Sequence, residues 1–231
     1  MALILCIETS TSVCSVALFQ NQRVLSFLRE DVPNSHSTLL TVLIEKLLDE
    51  ASLSVKDLDA VAVSSGPGSY TGLRIGVSVA KGICFALDIP LIAISSLEIM
   101  AANFLEIMPD IGKDDILCPM IDARRMEVYS ALFHSDLSLV REVIAEVVDQ
   151  NSYKSELLNQ RIFFFGDGSD KCREVIINQN AVFVEKVFPL ASAMGSIVFN
   201  RFESGLFEDL AYFEPFYLKS FIATTPKRKF F

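Results

Sequence analysis

Leu3-Ile-Leu-Cys-Ile-Glu-Thr-Ser-Thr-Ser-Val-Cys-Ser-Val-Ala-Leu-Phe19 decides the fold, because part of it returns 114 residues later. Moving Ile7 onto Ile121 places Glu8 on Asp122, and Ala17-Leu18-Phe19 on Ala131-Leu132-Phe133. In both copies an apolar run ends in a carboxylate and a second apolar run follows. Such runs, broken by small polar residues, read as consecutive strands. In the first copy the strands are Leu3–Glu8, Val13–Phe19 and Gln22–Leu28. A helix opened by Asn34-Ser35 runs to about Ala51, Ser54–Asp57 forms a capping box, and Ala60–Ser64 is a buried strand. A helix over Thr71–Leu87, a strand over Leu91–Ile94 and a helix capped by Ser95-Ser-Leu-Glu98 complete a βββαβα unit. After a Pro- and Asp-containing linker the order returns: strands Ile116–Asp122, Met126–His134 and Leu139–Val147, a helix near Ser152–Leu158, strand Ile162–Phe165 and helix Ser169–Ile177. Strand Ala181–Val187 and helix Ala191–Phe202 follow. The chain thus divides at 1–108 and 109–231, the last segment being free to cross back. Two related lobes would face each other, with their acidic strand ends at the cleft where α/β folds take ligands.

Composition narrows the function classes. The chain has 231 residues, 20 Lys+Arg against 29 Asp+Glu, and a formal charge of −9. That size supports a hydrophobic core without staples, and 51% hydrophobic residues exclude a disordered tail. The acidic balance argues against nucleic-acid binding by this chain alone. Lys227-Arg228-Lys229 reads as a solvated terminal cluster. Mean hydropathy is high at +0.41, yet no uncharged stretch exceeds 14 residues, short of a membrane span. No basic region precedes Leu3–Ile7, so a cytoplasmic location is expected. Surplus apolarity without a membrane suggests a face for a protein partner. Five cysteines, none in a C-x-x-C pair, and two separated histidines supply no zinc or thiol-redox motif.

Ser64-Ser-Gly-Pro-Gly-Ser-Tyr-Thr-Gly-Leu-Arg-Ile-Gly76 carries the chemistry, if there is any. A buried strand runs through a glycine loop into a helix N-terminus, which suits an anion. Glu8, Thr9, Ser10, Gly66, Gly68, Ser69, Thr71 and Asp122 are therefore candidate nucleotide- or phosphate-binding residues. The alternative is a tight strand-to-helix turn without a ligand. Neither a P-loop nor a dinucleotide fingerprint is present, since Thr71 stands where the third glycine belongs. Gly72, Gly76 and Ala80 recur on one helical face, and interior helix glycines cost roughly 1 kcal/mol each relative to Ala. Close approach of another element explains them, either the protein's own sheet or a partner. Two helices look apolar over most of their circumference. Leu39, Leu40, Leu43, Ile44 and Leu47 mark the first, and Ile75, Val79 and Ile83 join the small residues on the second. A surface helix ordinarily keeps a polar half, so these positions are candidate partner-interface residues.

Together, Ile7-Glu-Thr-Ser10, the Ser65–Gly76 segment, Ile121-Asp-Ala-Arg124 with Glu127-Val-Tyr129, and Pro215-Phe-Tyr-Leu-Lys219 resemble the TsaB (YeaZ) family, which works in tRNA threonylcarbamoyladenosine synthesis. The likeness runs nearly end to end, and Lys219 departs from the family's usual Arg. It implies an actin/hexokinase-like α/β fold of duplicated βββαβα lobes. It also implies a relative, TsaD, that transfers the threonylcarbamoyl group to the adenosine beside the anticodon. The broader family's glycoprotease or peptidase M22 label is not read as chemistry. TsaD carries His-x-x-x-His as metal ligands, where this chain has Ser96 and Met100, neither an imidazole. The resemblance therefore implies a non-catalytic subunit with no metal and no tightly bound cofactor. It would pair with TsaD through the two helices and recruit TsaE, with ATP or ADP, if held, at the complex. Alone, it would form a homodimer. The competing class is an autonomous ATP-binding phosphotransferase or ATPase, with Glu8 and Asp122 flanking its cleft.

Overall fold

Every residue of Leu3–Glu8 (β1) is buried, as expected for a strand covered on both faces. The computed structural model describes residues 1–32 and 35–218; Asn34, Lys219 and Lys227–Lys229 lie outside them. Strands β2 (Cys14–Gln20) and β3 (Arg23–Glu30) continue from β1 as antiparallel neighbours. Helix α1 (His36–Glu50), strand β4 (Ala60–Gly66), helix α2 (Tyr70–Leu87), strand β5 (Leu91–Ser95) and helix α3 (Ser96–Ile107) follow. The second lobe contributes β6 (Ile116–Asp122), β7 (Glu127–Phe133), β8 (Leu139–Val147), α4 (Lys154–Leu157), β9 (Ile162–Phe165) and β10 (Ala181–Val184), and α5 (Gly195–Glu203) ends the regular structure.

The two sheets have one plan. The first is ordered β3-β2-β1-β4-β5 and the second β8-β7-β6-β9-β10, so the first strand of each unit is central. In each, the first three strands are antiparallel, and the fourth runs parallel to the first. This is the duplicated actin/hexokinase-like architecture. The residue-level repeat is only half right. Cys6 pairs with Ala17, whereas its counterpart Met120 pairs with Ser130, not Ala131. The second hairpin is one residue shorter, so the match of Ala17-Leu18-Phe19 with Ala131-Leu132-Phe133 is one residue out of register. Because a one-residue slip turns a strand's side chains to the other face, only the Ile-plus-carboxylate strand end is a true repeat.

Several elements are shorter than the sequence suggests. The expected helix Ser169–Ile177 is a 3₁₀ turn at Asp170–Cys172, and Ser152–Leu158 contracts to α4. Isolated stretches this short cannot repay helix nucleation without an apolar face to dock. Strand β10 stops at Val184, and Lys186 beyond it takes a left-handed φ of 61°. The Ser54–Asp57 capping box is present, around a 3₁₀ turn. Ser95 makes no cap bond, and Glu98 pairs with Arg201 at 2.6 Å.

The last segment crosses back. From Ala191 onward the chain packs on the first sheet: the Ala191 amide donates to Ser15 Oγ at 3.0 Å, and Met194, Ile197 and Val198 join the cluster around Ile4, Cys6 and Phe19. A strap then bonds back to β5 and β4, Glu208 N to Leu91 O and Phe216 N to Ser65 O. The helix buried on all sides is α3. Ile99 and Ala102 face the first lobe's core, and Leu97, Met100 and Phe104 face the second's.

Helix α1 is therefore sided after all. Leu40, Leu43, Ile44 and Leu47 sit in the core against β1, β2 and β4, while Thr41, Glu45, Lys46 and Asp49 are exposed. On α2, Gly72, Gly76 and Ala80 are likewise buried. These seven are corrected from interface residues to core residues, since a side chain turned into the protein's own sheet offers nothing to a partner. Half-buried Leu39, Ile75, Val79 and Ile83 remain at the surface of the two helices, with Val42 and Phe85 outside them at 54% and 81% exposure.

Candidate functional site

The end of β1 is pinned beneath the glycine loop. A Cβ on Gly68 would lie 2.3 Å from the Ser10 carbonyl oxygen, and the Ser69 amide donates to that same oxygen at 2.6 Å. Thr9 does the same for α2. A Cβ on Gly72 would lie 2.1 Å from Thr9 O, and one on Gly76 2.3 Å from Thr9 Oγ1, which itself donates to Gly72 O. Gly66, at φ +108°, lets the Phe216 carbonyl approach. The glycines thus admit Thr9, Ser10 and Phe216 of the protein itself.

A cleft of about 690 Å³ lies between the lobes. Of the predicted residues, Ser10, Gly68, Ser69, Thr71 and Asp122 line it; Glu8, Thr9 and Gly66 do not. The expected meeting of two acidic strand ends is therefore one-sided. Asp122 accepts from the Arg124 amide at 2.8 Å and pairs with Lys171. Its own amide donates to Asp167 Oδ1 at 3.0 Å.

Glu8 is fully buried. Desolvation pushes its carboxyl up to about 7, against hydrogen bonds from Ser10 and Ser64 that pull it down. Ser10 N donates to Oε1 at 2.5 Å. Oε2 and the Ser10 hydroxyl complete no well-formed hydrogen bond among the described residues, although the hydroxyl lies close enough to favour the charged form. A raised folded-state value means that Glu8 stabilises the fold below the unfolded carboxylate range and loses that contribution as pH rises through about 7. Glu8→Gln should therefore match the wild type near pH 5 and exceed it at pH 8 by roughly 3 kcal/mol, at about 1.4 kcal/mol per pKa unit. Thermal unfolding at the two pH values measures this. A wild type that gains stability over that window relative to Glu8→Gln contradicts the assignment.

The sequence reading missed the cleft's other walls. His36 begins α1 and lines the cleft, as do Tyr70, Arg124, Asp167 and Tyr217. Tyr217, on the strap, lies 4.9 Å from the Tyr70 ring, and Arg74 sits 4.2 Å over Tyr70 and donates to the Tyr217 hydroxyl. Tyr70, Arg124 and Tyr217 lie inside the quoted segments but were given no role there, and His36 and Asp167 carried no sequence signal. Arg124 and Arg125 both adopt left-handed φ, 73° and 54°. Non-glycine residues there carry strain of order 1 kcal/mol or more each.

Ser96 and Met100 are fully buried. Met100 fills the space between the lobes, where a Cβ on Gly166 would come 2.6 Å from its Sδ. Among the described residues no three His, Cys, Asp or Glu side chains converge as a metal site. No described helix is long and apolar enough to cross a membrane.

The family model for TsaD, tRNA N6-adenosine threonylcarbamoyltransferase, matches residues 28–220. A Bacillus subtilis relative, described as tRNA threonylcarbamoyladenosine biosynthesis protein TsaB, is 33% identical over 75% of this chain and 74% of its own length. The Haemophilus influenzae TsaB protein is 32% identical over 71% and 72%. A Pediococcus pentosaceus tRNA N6-adenosine threonylcarbamoyltransferase is 36% identical, but over only 46% of this chain and 36% of its own. Among solved structures, a chain described as similar to peptidase YeaZ from Pseudomonas aeruginosa superposes with a TM-score of 0.84 at 27% identity, covering 95% of this chain and 100% of that one. YeaZ from the same organism gives 0.80 at 26%, over 94% and 100%. End-to-end superposition on YeaZ, together with one third identity to TsaB, places the chain: it belongs to the TsaB (YeaZ) family of tRNA threonylcarbamoyladenosine biosynthesis proteins.

Proposed function

We propose that this chain is the non-catalytic subunit that pairs with a TsaD-type transferase, for threonylcarbamoyl transfer to the adenosine beside the anticodon of tRNA. The observation that carries the reading is the apolar surface left on α1 and α2. Val42 and Phe85 are exposed, and Leu39, Ile75, Val79 and Ile83 are half-buried. Apolar side chains left at the surface of two neighbouring helices support a protein contact there. Ser96 and Met100 support the same reading, since neither can serve as an imidazole ligand. TsaE joins the pair in this account, the chain alone self-associates through the same helices, and the tRNA is held by the partners. All of this would take place in the cytoplasm.

The autonomous ATPase reading rests on the fold and on the glycine loop, and it is the weaker one. The loop's glycines approach Thr9, Ser10 and Phe216, Glu8 is sealed from the cleft, and Asp122 is engaged by Lys171. Co-purification with a TsaD-type subunit and with TsaE, followed by tRNA modification with and without this chain, tests the proposal. The expected result is modification that requires the chain. Calorimetry with ATP and Mg²⁺ on the isolated chain tests the alternative; tight binding with turnover sinks the scaffold reading.

A further inference from the structure

Two of the most exposed large apolar side chains stand at one corner, where the strap passes the last turns of α2. They are Phe85 at 81% and Tyr212 at 84% exposure. The packing of the strap turns Tyr212 outward. Leu210 and Phe213, to either side of it, pack against the first core. Half-buried Lys81 donates to the carbonyls of Ala211 and Phe213 at 3.4 and 3.0 Å. Lys81 and Phe85 are one helical turn apart on the same face of α2, so Tyr212 and Phe85 share the corner.

The corner is also acidic. The Glu208 amide donates to Leu91 O, which brings Glu208 to the α2–β5 turn begun by Asp88, the left-handed cap of α2. Asp209 accepts from the Ala211 and Tyr212 amides at 2.9 and 3.2 Å. Asp88, Glu208 and Asp209 make no ion pair among the described residues. Lys81, bound to strap carbonyls, balances one of the three charges. Exposed aromatic rings within a charged rim have the anatomy of a protein contact.

We propose, resting on the subunit reading above, that this corner extends the α2 docking surface and takes a basic segment of the partner subunit, whose cationic groups flank an apolar anchor. The anchor packs on Tyr212 and Phe85. A guanidinium or ammonium group over either ring gains from the ring's quadrupole, and the carboxylates of Asp88, Glu208 and Asp209 steer it there. A second copy of this chain does not fit. The chain carries a formal charge of −9, and a twofold contact at the corner sets the three acids against their own equivalents.

The test measures association and dissociation rates of a TsaD-type subunit with the full chain, at low and high salt. Asp88→Asn/Glu208→Gln removes two charges, and asparagine tolerates the left-handed φ of 56° at position 88. It should slow association at low salt roughly threefold or more and flatten the salt dependence, with the melting temperature unchanged. Tyr212→Ala should speed dissociation roughly fivefold or more. Glu142→Gln/Glu174→Gln, exposed in the second lobe, makes the same change in net charge and should leave both rates as they were. Wild-type pairing whose rates ignore the corner variants overturns this proposal alone. Absence of any wild-type pairing overturns the subunit reading and this proposal with it. Equal slowing by the second-lobe control, or faster association once the acids are removed, also overturns it. So does tighter pairing in Lys227→Ala/Arg228→Ala/Lys229→Ala, which gives the corner to this chain's own basic segment, or self-association weakened by Tyr212→Ala, which gives it to a second copy.

Discussion

Val42→Asp combined with Ile75→Asp is expected to abolish pairing with the TsaD-type subunit while the chain stays folded. A charge placed in the desolvated centre of an interface costs about 2–4 kcal/mol, a loss of roughly 30- to 1,000-fold in affinity. Val42 is 54% exposed, so in the free chain its carboxylate stays hydrated, and surface substitutions of this kind change stability by about 0.5 kcal/mol or less. Ile75 is half-buried against the first core, which makes Val42→Asp alone the control for fold integrity. Leu43→Asp, chosen from the periodicity alone, would mislead. Leu43 is 6% exposed within the core, and an unpaired buried charge there unfolds the chain before any interface is tested. Pull-down or calorimetry reads the affinity, and circular dichroism reads the fold. Retained pairing in the double variant moves the interface elsewhere.

The second large effect concerns α2 and Thr9. In an exposed helix Gly→Ala gains about 1 kcal/mol. At Gly72 steric conflict outweighs that gain, because the new Cβ would stand 2.1 Å from a backbone oxygen, Thr9 O. Gly72→Ala should therefore destabilise by about 3 kcal/mol or more, at or above the upper range for overpacking. Gly76→Ala meets Thr9 Oγ1 instead, a side-chain atom 2.3 Å away. Thr9→Ala should rescue Gly76→Ala and fail to rescue Gly72→Ala. Denaturant unfolding of the two double variants separates them. Rescue of neither would mean that the glycines serve contact with another element rather than with the end of β1.

Much of this fold could be read from alternation and spacing. Two apolar runs ending in Ile-Glu and Ile-Asp, 114 residues apart, predicted the repeated element order, because strand runs and their connections are local signals. The second strand's register could not be read, since an apolar chain supplies Ala-Leu-Phe at either of two offsets and only the hairpin length decides. Helix content failed in the second lobe, where Ser169–Ile177 forms only the 3₁₀ turn Asp170–Cys172 although Cys172 and Ile176 reach the core. The all-round apolar helix α3 went unremarked because its two partners lie in different lobes, a relation absent from local sequence. The same holds for the cleft. Ser10, Ser69, Thr71 and Asp122 were found from motifs, whereas His36 enters only because α1 begins beside the glycine loop. Gly66 and Gly68 were read as ligand-contacting candidates, whereas Phe216 and Ser10 approach them, which no spacing rule reveals.

The most direct test of the central claim is threonylcarbamoyl transfer to tRNA, reconstituted with a TsaD-type subunit, TsaE and this chain. The account predicts strong modification with the wild type, similar activity with Asp122→Asn, and collapse with Val42→Asp/Ile75→Asp. Full activity with the unpaired double variant, or loss of activity through Asp122→Asn with pairing intact, would contradict it.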